Sequence, residues 1–475
     1  MRAAACLGLA LAILASPRPL RAQSIFHDTD RIDITGRQNL TLGSGARAYG
    51  MGGAFLARAD DATAASWNPA GLSYLRLPEV SLVGASSLFD ITRGQSTDHF
   101  NGRTIDFGAF TWPVRVGGAH GAVQLSYQRA VSFDGRRRIL FYDDQGQTSI
   151  TEDVRSSGGF DVVALGAGLR LTRSLRAGAT LNRWLNGYTQ TLSRDYLQPT
   201  NRRPKRYFEL DFQPRGWNAN LGLMWSPLES LNVGAVFKTP FRAGVELAKS
   251  RLDPWLQATG PEIEEITTNS YSTSKTRLDF PASYGFGLSW RPHDTFTLSA
   301  DLTLTRWSQA RIHNYFDLEV TPAGGETPAP KPPPNVYPLL QYPTLNALPT
   351  SDNPGLSTQQ DKQELRVGME YVLIAGRLKV PLRAGYFNDR QITQDLVGHT
   401  PRFDGFTAGV GLVLGSVLLD VAYVYEFGKY YVAGEAADAP DGPDSGVATA
   451  PPTQRNSLTT NRVFASVIYR FSGRP

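Results

Sequence analysis

Thiol chemistry is almost missing from this sequence, since among its 475 residues the only cysteine is Cys6. It lies in the opening run MRAAACLGLALAILASPRPLRAQ, where Arg2 supplies a positive start, residues 3–15 are apolar, and Leu20-Arg21-Ala22 precede Gln23 as a cleavage site. Residues 1–22 therefore read as a secretory leader. Apolar residues continue past Cys6, which is the wrong place for a lipid-anchored cysteine. The mature chain then holds no thiol, which excludes disulfides, thiolate metal sites and cysteine catalysis.

Long apolar runs are missing too. Residues 3–15 are too few to span a bilayer, and no stretch of about 18 apolar residues occurs elsewhere, so a helical membrane protein is excluded. Net charge is slight at +5, and losing Arg2, Arg18 and Arg21 with the leader leaves +2. That balance does not suit a bulk nucleic-acid binder. Histidine is scarce: His27 lies before the strands, His99, His293, His313 and His399 fall in or near links, and His120 sits within a strand with Ser126 six residues on. A Ser-His hydrolase needs convergent partners, so no enzyme is expected. Asp60-Asp61 and Asp143-Asp144 lack the spacing of a calcium loop, so neither a metal nor a cofactor is expected.

What is present is alternation. In FTLSADLTLTRW, residues 296–307, Phe296, Leu298, Ala300, Leu302 and Leu304 share one face, and Thr297, Ser299, Asp301, Thr303 and Thr305 share the other. The pattern returns at 119–133, at 365–373 with Arg366 and Glu370 on the polar side, at 378–386 with Arg383, and at 417–427 with Asp420 and Glu426. About fourteen strands follow, near 78–92, 102–114, 119–133, 158–171, 174–194, 205–225, 230–248, 273–291, 294–316, 361–373, 377–391, 403–414, 416–430 and 460–471.

Alternation alone fits a sandwich or a barrel, but the links sort strictly. Tight turns at 115–118, 172–173, 226–229, 292–293, 374–376 and Gly415 alternate with long links near 134–157, 249–272, 317–360 and 431–459. Such sorting implies an all-β transmembrane antiparallel β-barrel, with both chain ends at the short-turn rim. Aromatics at strand ends, Trp112, Trp184, Trp290, Trp307, Tyr315, Phe316, Tyr423, Tyr425 and Phe427, suit interfacial girdles. The final strand, RVFASVIYRF, ends in aromatics with Arg470 among them.

Residues 23–77 precede the first strand and are placed to fill the lumen, so the expected division is leader 1–22, plug 23–77 and barrel 78–475. Within the plug, GARAYGMGGAFLARADDATAASWNPAGL is rich in small residues. Gly50, Gly52 and Gly53 permit close backbone approach, Asp60 or Asp61 can cap a short helix, and Asn68-Pro69 opens a fresh helical turn. The polar strand faces would place Asp301, Arg366, Glu370, Arg383, Asp420, Glu426 and Arg470 in the lumen. A latch between Asp60 or Asp61 and a wall arginine is expected, with wall-to-wall pairing as the alternative.

This stretch resembles the N-terminal hatch of the FadL/OmpP1/TodX outer-membrane transporters, with Asn68-Pro69-Ala70 matching the family's NPA motif. Residues 280–308 and 405–428 are similar to late strands of that family. The resemblance implies passive diffusion of hydrophobic compounds, such as long-chain fatty acids or aromatic hydrocarbons, through a hatched barrel in a Gram-negative outer membrane. It also implies a sideways exit at a kinked third strand, although residues 119–133 contain only Gly121 and no proline to mark one. The Gly-Met-Gly-Gly-Ala-Phe run is similar as well to PorV-like barrels, which implies as an alternative a structural or secretion-partner role beside another envelope protein.

Two basic clusters, Arg136 to Arg138 and Arg202, Arg203, Lys205, Arg206, suit either outer-membrane lipid phosphates or plain solvation. The proline-rich link 317–360 carries Val336, Tyr337, Leu339, Leu340 and Tyr342, an apolar patch suited to first capture of a hydrophobic ligand or to packing over the barrel mouth.

Overall fold

A computed structural model describes residues 43–471 except 94–95, 143–148, 198–204, 260–261, 314–318, 322–335, 339–359, 377, 393–399 and 434–452. The leader, Leu339, Leu340, Tyr342, Tyr315 and Phe316 lie outside the described residues. So do Arg202 and Arg203.

Two short helices, α1 (Ala46–Gly50) and α2 (Ala64–Trp67), and a 3₁₀ turn (Pro69–Tyr74) precede the sheet. The strands are β1 (Glu79–Arg93), β2 (Ser96–Val116), β3 (Ala119–Ser132), β4 (Gly135–Tyr142), β5 (Ser149–Arg170), β6 (Leu175–Leu185) and β7 (Tyr188–Leu197). There follow β8 (Lys205–Leu228), β9 (Leu231–Lys238), β10 (Phe241–Thr259), β11 (Glu262–Phe280), β12 (Ser283–His293) and β13 (Phe296–Thr305). The last are β14 (Arg311–His313), β15 (Glu319–Thr321), β16 (Val336–Pro338), β17 (Lys362–Ala375), β18 (Leu378–Arg390), β19 (Arg402–Leu414), β20 (Val417–Ala433) and β21 (Thr453–Arg470).

All pairings are antiparallel between neighbours, and β1 closes onto β21 from Glu79↔Arg470 to Arg93↔Asn456. The result is a closed antiparallel barrel of fourteen staves, several of them built from two successive strands. Pairing of β1 with β21 removes the two end edges of the sheet, as a sheet surrounded by lipid would require. On β17, Leu365, Val367, Met369, Tyr371 and Leu373 face outward and are exposed, while Glu364, Arg366 and Glu370 are buried inside. The same sorting puts Leu221, Leu223 and Trp225 of β8 and Tyr284, Phe286, Leu288 and Trp290 of β12 outside, giving an apolar outer band.

Three sequence expectations need correction. The links near 134–157 and 249–272 are largely strand, because β4 with β5 and β10 with β11 continue as long hairpins. β21 likewise starts at Thr453 rather than near 460. Strand that projects past a bilayer meets water on both faces, so it needs no polar alternation and leaves no pattern to read. Trp184 and Trp307 are not girdle residues, since they are 8% and 4% exposed and point into the barrel. Trp112, Trp290, Tyr423, Tyr425 and Phe427 do lie exposed on the outer surface.

The reason for the inward tryptophans lies in interruptions of the staves. Breaks fall between β3 and β4, β6 and β7, β9 and β10, β11 and β12, and β13 and β14. At several of them the alternation changes phase. Val123 and Leu125 of β3 face outward, but beyond a bulge between Arg129 and Val131 the residues Val131 and Phe133 are buried inside. The even residues of β12 face outward, whereas Leu278 and Phe280 of β11, also even, face in. Beyond the breaks these staves therefore line the lumen with an apolar cluster that includes Phe133, Phe160, Trp184, Phe212, Phe280 and Trp307.

Candidate functional site: the inner segment and the cleft beside it

Residues 43–78 lie within the barrel, and nearly all are buried. Backbone contact at this density needs glycine on both sides. Gly52 has φ +67, and a Cβ on it would meet Val367 O at 2.8 Å and Tyr386 O at 2.9 Å. Across the contact, a Cβ on Gly385 would meet Gly52 N at 2.2 Å, and one on Gly368 would meet Met51 O at 2.1 Å. Thr407 of β19 fastens the same turn, accepting from Gly52 N at 2.9 Å and donating to Gly50 O at 3.0 Å.

Asn68 acts as expected of an N-cap, its Oδ1 accepting from Ala70 N at 3.1 Å before a proline at the first helical position. Its amide does more, donating to Leu56 O at 2.8 Å and to Leu223 O of β8 at 3.1 Å. Neither Asp60 nor Asp61 caps α2, whose N-cap is Thr63; Asp61 instead accepts from Thr63 N at 2.9 Å and Thr63 Oγ1 at 2.6 Å in a local turn just ahead of it. Gly53 lies against Arg366, while Pro69 and Ala70 lie against the wall at Gly178 and Gly222.

The latch has the opposite polarity to the one expected. Asp60 and Asp61 pair with Arg47 of the inner segment itself, at 2.6 and 3.3 Å, and Asp60 also pairs with Arg58. The wall contributes a carboxylate, Glu370, which Arg47 reaches at 3.2 Å and Arg58 at 3.4 Å. Arg383 then ties Glu370 at 2.7 Å to Asp420 at 2.6 Å. Arg47 and Arg58 were missed because the arginines were sought on the wall. Their signal in the sequence is two charges inside a small-residue segment destined for burial.

Of the other wall charges, Asp301 accepts from the backbone N–H groups of Phe55 and Leu56 at 2.6 and 2.8 Å. Arg366 donates to Gly52 O at 2.9 Å and pairs with Glu364 at 2.9 Å. Glu426 pairs with Arg462 and Arg470 with Glu79, both at 2.7 Å, and neither ion pair includes a group of the inner segment.

Beside the inner segment is a small cleft of about 70 Å³. Ala65 and Ser66 form part of its floor, and Trp184, Phe241, Phe280 and Trp307 supply an aromatic wall. Phe241 and Phe280 stack with centroids 4.6 Å apart, and Trp184 stacks on Phe241 at 5.0 Å. Trp184 donates to Asn218 at 2.8 Å, so its polar edge is satisfied and its face is left for apolar contact. Polar groups make up about half of the lining, among them Asn182, Asn220, Lys238, Ser283 and Thr305. An aromatic wall beside polar groups can take an apolar body and hold a polar end.

The cleft also touches Ser126, Gln128 and Ala130 of β3, next to the bulge. Here the wall ladder changes. β2 pairs with β3 only from Phe107↔Gln128 to Val116↔Ala119, and among the described residues no ladder joins residues 96–106 to β3 or β4. The kink needs no proline. Asp161 takes Tyr127 at 2.8 Å, Asn186 at 2.8 Å and Arg129, while Asp134 accepts from Gly158 N at 2.9 Å and Ser132 Oγ at 2.9 Å. Across the seam, Gly102 lies against Asp134 O.

The sequence profile of the BamG family matches residues 40–321. No curated protein matches the chain by sequence. Among solved structures, a Pseudomonas aeruginosa FadL homologue aligns over 90% of this chain and 98% of its own, with TM-score 0.57 and 13% identity. The Ralstonia pickettii toluene transporter TbuX aligns over 91% and 99%, with TM-score 0.55 and 16% identity. The Pseudomonas putida toluene transporter TodX aligns over 92% and 99%, with TM-score 0.54 and 14% identity. The FadL/OmpP1/TodX resemblance read from the sequence is thus a likeness of fold along nearly the whole chain.

Proposed function

The chain belongs to the BamG family, and from its FadL-like barrel and the cleft beside the inner segment we propose that it passes hydrophobic compounds passively across an outer membrane. The observation that carries this reading is the aromatic cleft that adjoins the unladdered seam between β2 and β3. Residues 43–78 act as the plug that closes the straight path through the lumen. A ligand entering from the long-strand side meets that plug, settles against Trp184, Phe241 and Phe280, and leaves sideways through the seam. The ligand classes are aromatic hydrocarbons and long-chain fatty acids, with an apolar body in each case. No chemical step or cofactor is involved.

Binding in the cleft should stabilise the fold by mass action. Purified protein in a neutral detergent should therefore melt higher with an alkylbenzene or a long-chain fatty acid than with a sugar of similar size. Trp184→Ala should abolish the difference. Equal melting with every additive would refute transport.

A second reading has its own support. The ion network holding the plug and the membership of a family other than that of the transporters both suit a barrel whose work is done beside another envelope protein. Under it, ligands leave stability unchanged and mild crosslinking captures a stoichiometric partner.

A further inference from the structure

At the short-turn rim the last residue of β5 and the second residue of β6 are both arginines, and they stand directly opposite each other as the cross-strand pair Arg170↔Arg176. Both belong to the inward-facing set, which on β5 includes Val162 and Ala164 and on β6 includes Thr180, Asn182 and Trp184. Like charges directly across a ladder destabilise it, so a pair at this position needs compensation. Arg76, just past the 3₁₀ turn, adds a third positive charge acting on Arg176. Among the described residues no carboxylate lies within ion-pair distance of Arg76, Arg170 or Arg176.

The guanidinium of Arg176 is nonetheless held in place. Its Cζ lies 3.9 Å from the centre of the Tyr74 ring, and its Nη1 donates to Ser226 Oγ at 3.3 Å. Ser226 is fixed in turn by donating to Asn232 Oδ1 at 2.7 Å. The Nε of Arg176 is buried with no partner. Arg170 is braced by Thr172 O at 3.1 Å and Arg173 O at 3.0 Å. A stacked, oriented guanidinium beside two more cations is built to receive a planar or tetrahedral oxyanion. Exposed Leu77 and Leu171 flank the place with apolar surface.

We propose that Arg176, Arg170 and Arg76 form an oxyanion-binding site at the short-turn mouth of the barrel, taking a phosphate or carboxylate, whether free or as the head of an amphiphile. It is separate from the aromatic cleft and does not depend on transport. The anion neutralises the arginine pair and ties the end of the inner segment, through Tyr74 and Arg76, to β5 and β6.

The test uses full-length protein in a neutral maltoside, titrated calorimetrically with inorganic phosphate and, separately, with dodecyl phosphate. Wild type should bind, and Arg170→Gln with Arg176→Gln should lose at least about tenfold in affinity, the value of one charge-assisted hydrogen bond. Tighter binding of dodecyl phosphate by wild type assigns the site to an amphiphile head, and equal binding assigns it to the free ion. Arg76→Gln, an exposed change that leaves the barrel intact, should weaken binding and make it less salt-dependent. Absence of binding by wild type, or equal affinity in wild type and both variants, overturns the proposal.

Discussion

Arg47 of the inner segment grips Glu370 of β17 with two arms of its guanidinium, Nε to Oε2 at 3.2 Å and Nη2 to Oε1 at 3.3 Å, while its Nη1 holds Asp60 at 2.6 Å. One planar cation thus joins the segment's own carboxylate to a wall carboxylate. Glu370 also receives Arg58 and Arg383, so removing its charge leaves three arginines to share Asp60, Asp61 and Asp420 in a buried place. Glu370→Gln should cost about 3–5 kcal/mol, the usual penalty for breaking one side of a buried ion pair. Differential scanning calorimetry should show the lower melting temperature, and planar bilayers should show brief openings. A variant that melts and conducts like wild type would mean that the glycine contacts alone hold the segment.

The barrel was legible because an apolar outer surface and a packed polar lumen force strict alternation, as along β17 and β13. The turn at Asn68 was legible because cap and proline act locally. Phase changes were not, because a bulge such as that beside Ala130 is set by distant partners, here Asp161 and Gly159. That single slip turned Val131 and Phe133 inward. One partner of Asp60 was hidden for a similar reason, since Arg47, thirteen residues away, comes close only when the segment folds back on itself, whereas Arg58 is a local neighbour two residues away.

The glycine contact separates steric from electrostatic closure. Gly52→Ala would force a Cβ to within 2.8 to 3.0 Å of three backbone atoms at φ +67, where no flexible side chain can yield. Gly117→Ala has a similar φ of +55 in a tight turn, but nothing lies within 4 Å of its Cβ. Both pay the left-handed strain of about 1 kcal/mol. Only the first should raise leak conductance, and equal leak from both would show that strain rather than contact is responsible.

Passage through the seam can be separated from binding in the cleft. A Cβ on Gly102 would already lie 2.7 Å from Asp134 O, so Gly102→Trp must disturb or jam the approach of β2 to the kink. Uptake of a hydrophobic ligand by cells should fall at least about tenfold, a barrier of roughly 1.4 kcal/mol or more. The ligand-induced rise in melting temperature of the purified variant should persist. Full uptake with retained binding would place the exit elsewhere.

Deleting residues 45–72 should open the straight path and also set its ion selectivity. The deletion removes Arg47 and Arg58 from Glu370, the backbone donors of Phe55 and Leu56 from Asp301, and the Gly52 carbonyl from Arg366. The wall groups uncovered together are Asp301, Glu370 and Asp420 against Arg366 and Arg383, so carboxylates outnumber arginines. A water-filled lumen with that excess concentrates cations. Planar bilayers should therefore record large, steady, cation-selective conductance, with selectivity weakening as salt screens the ring. Glu370→Gln placed in the deletion background should reduce the preference without closing the channel. A deletion protein that stays closed would show that residues 45–72 are not the obstruction, and an anion-selective one would show that the exposed charges are not those facing the inner segment.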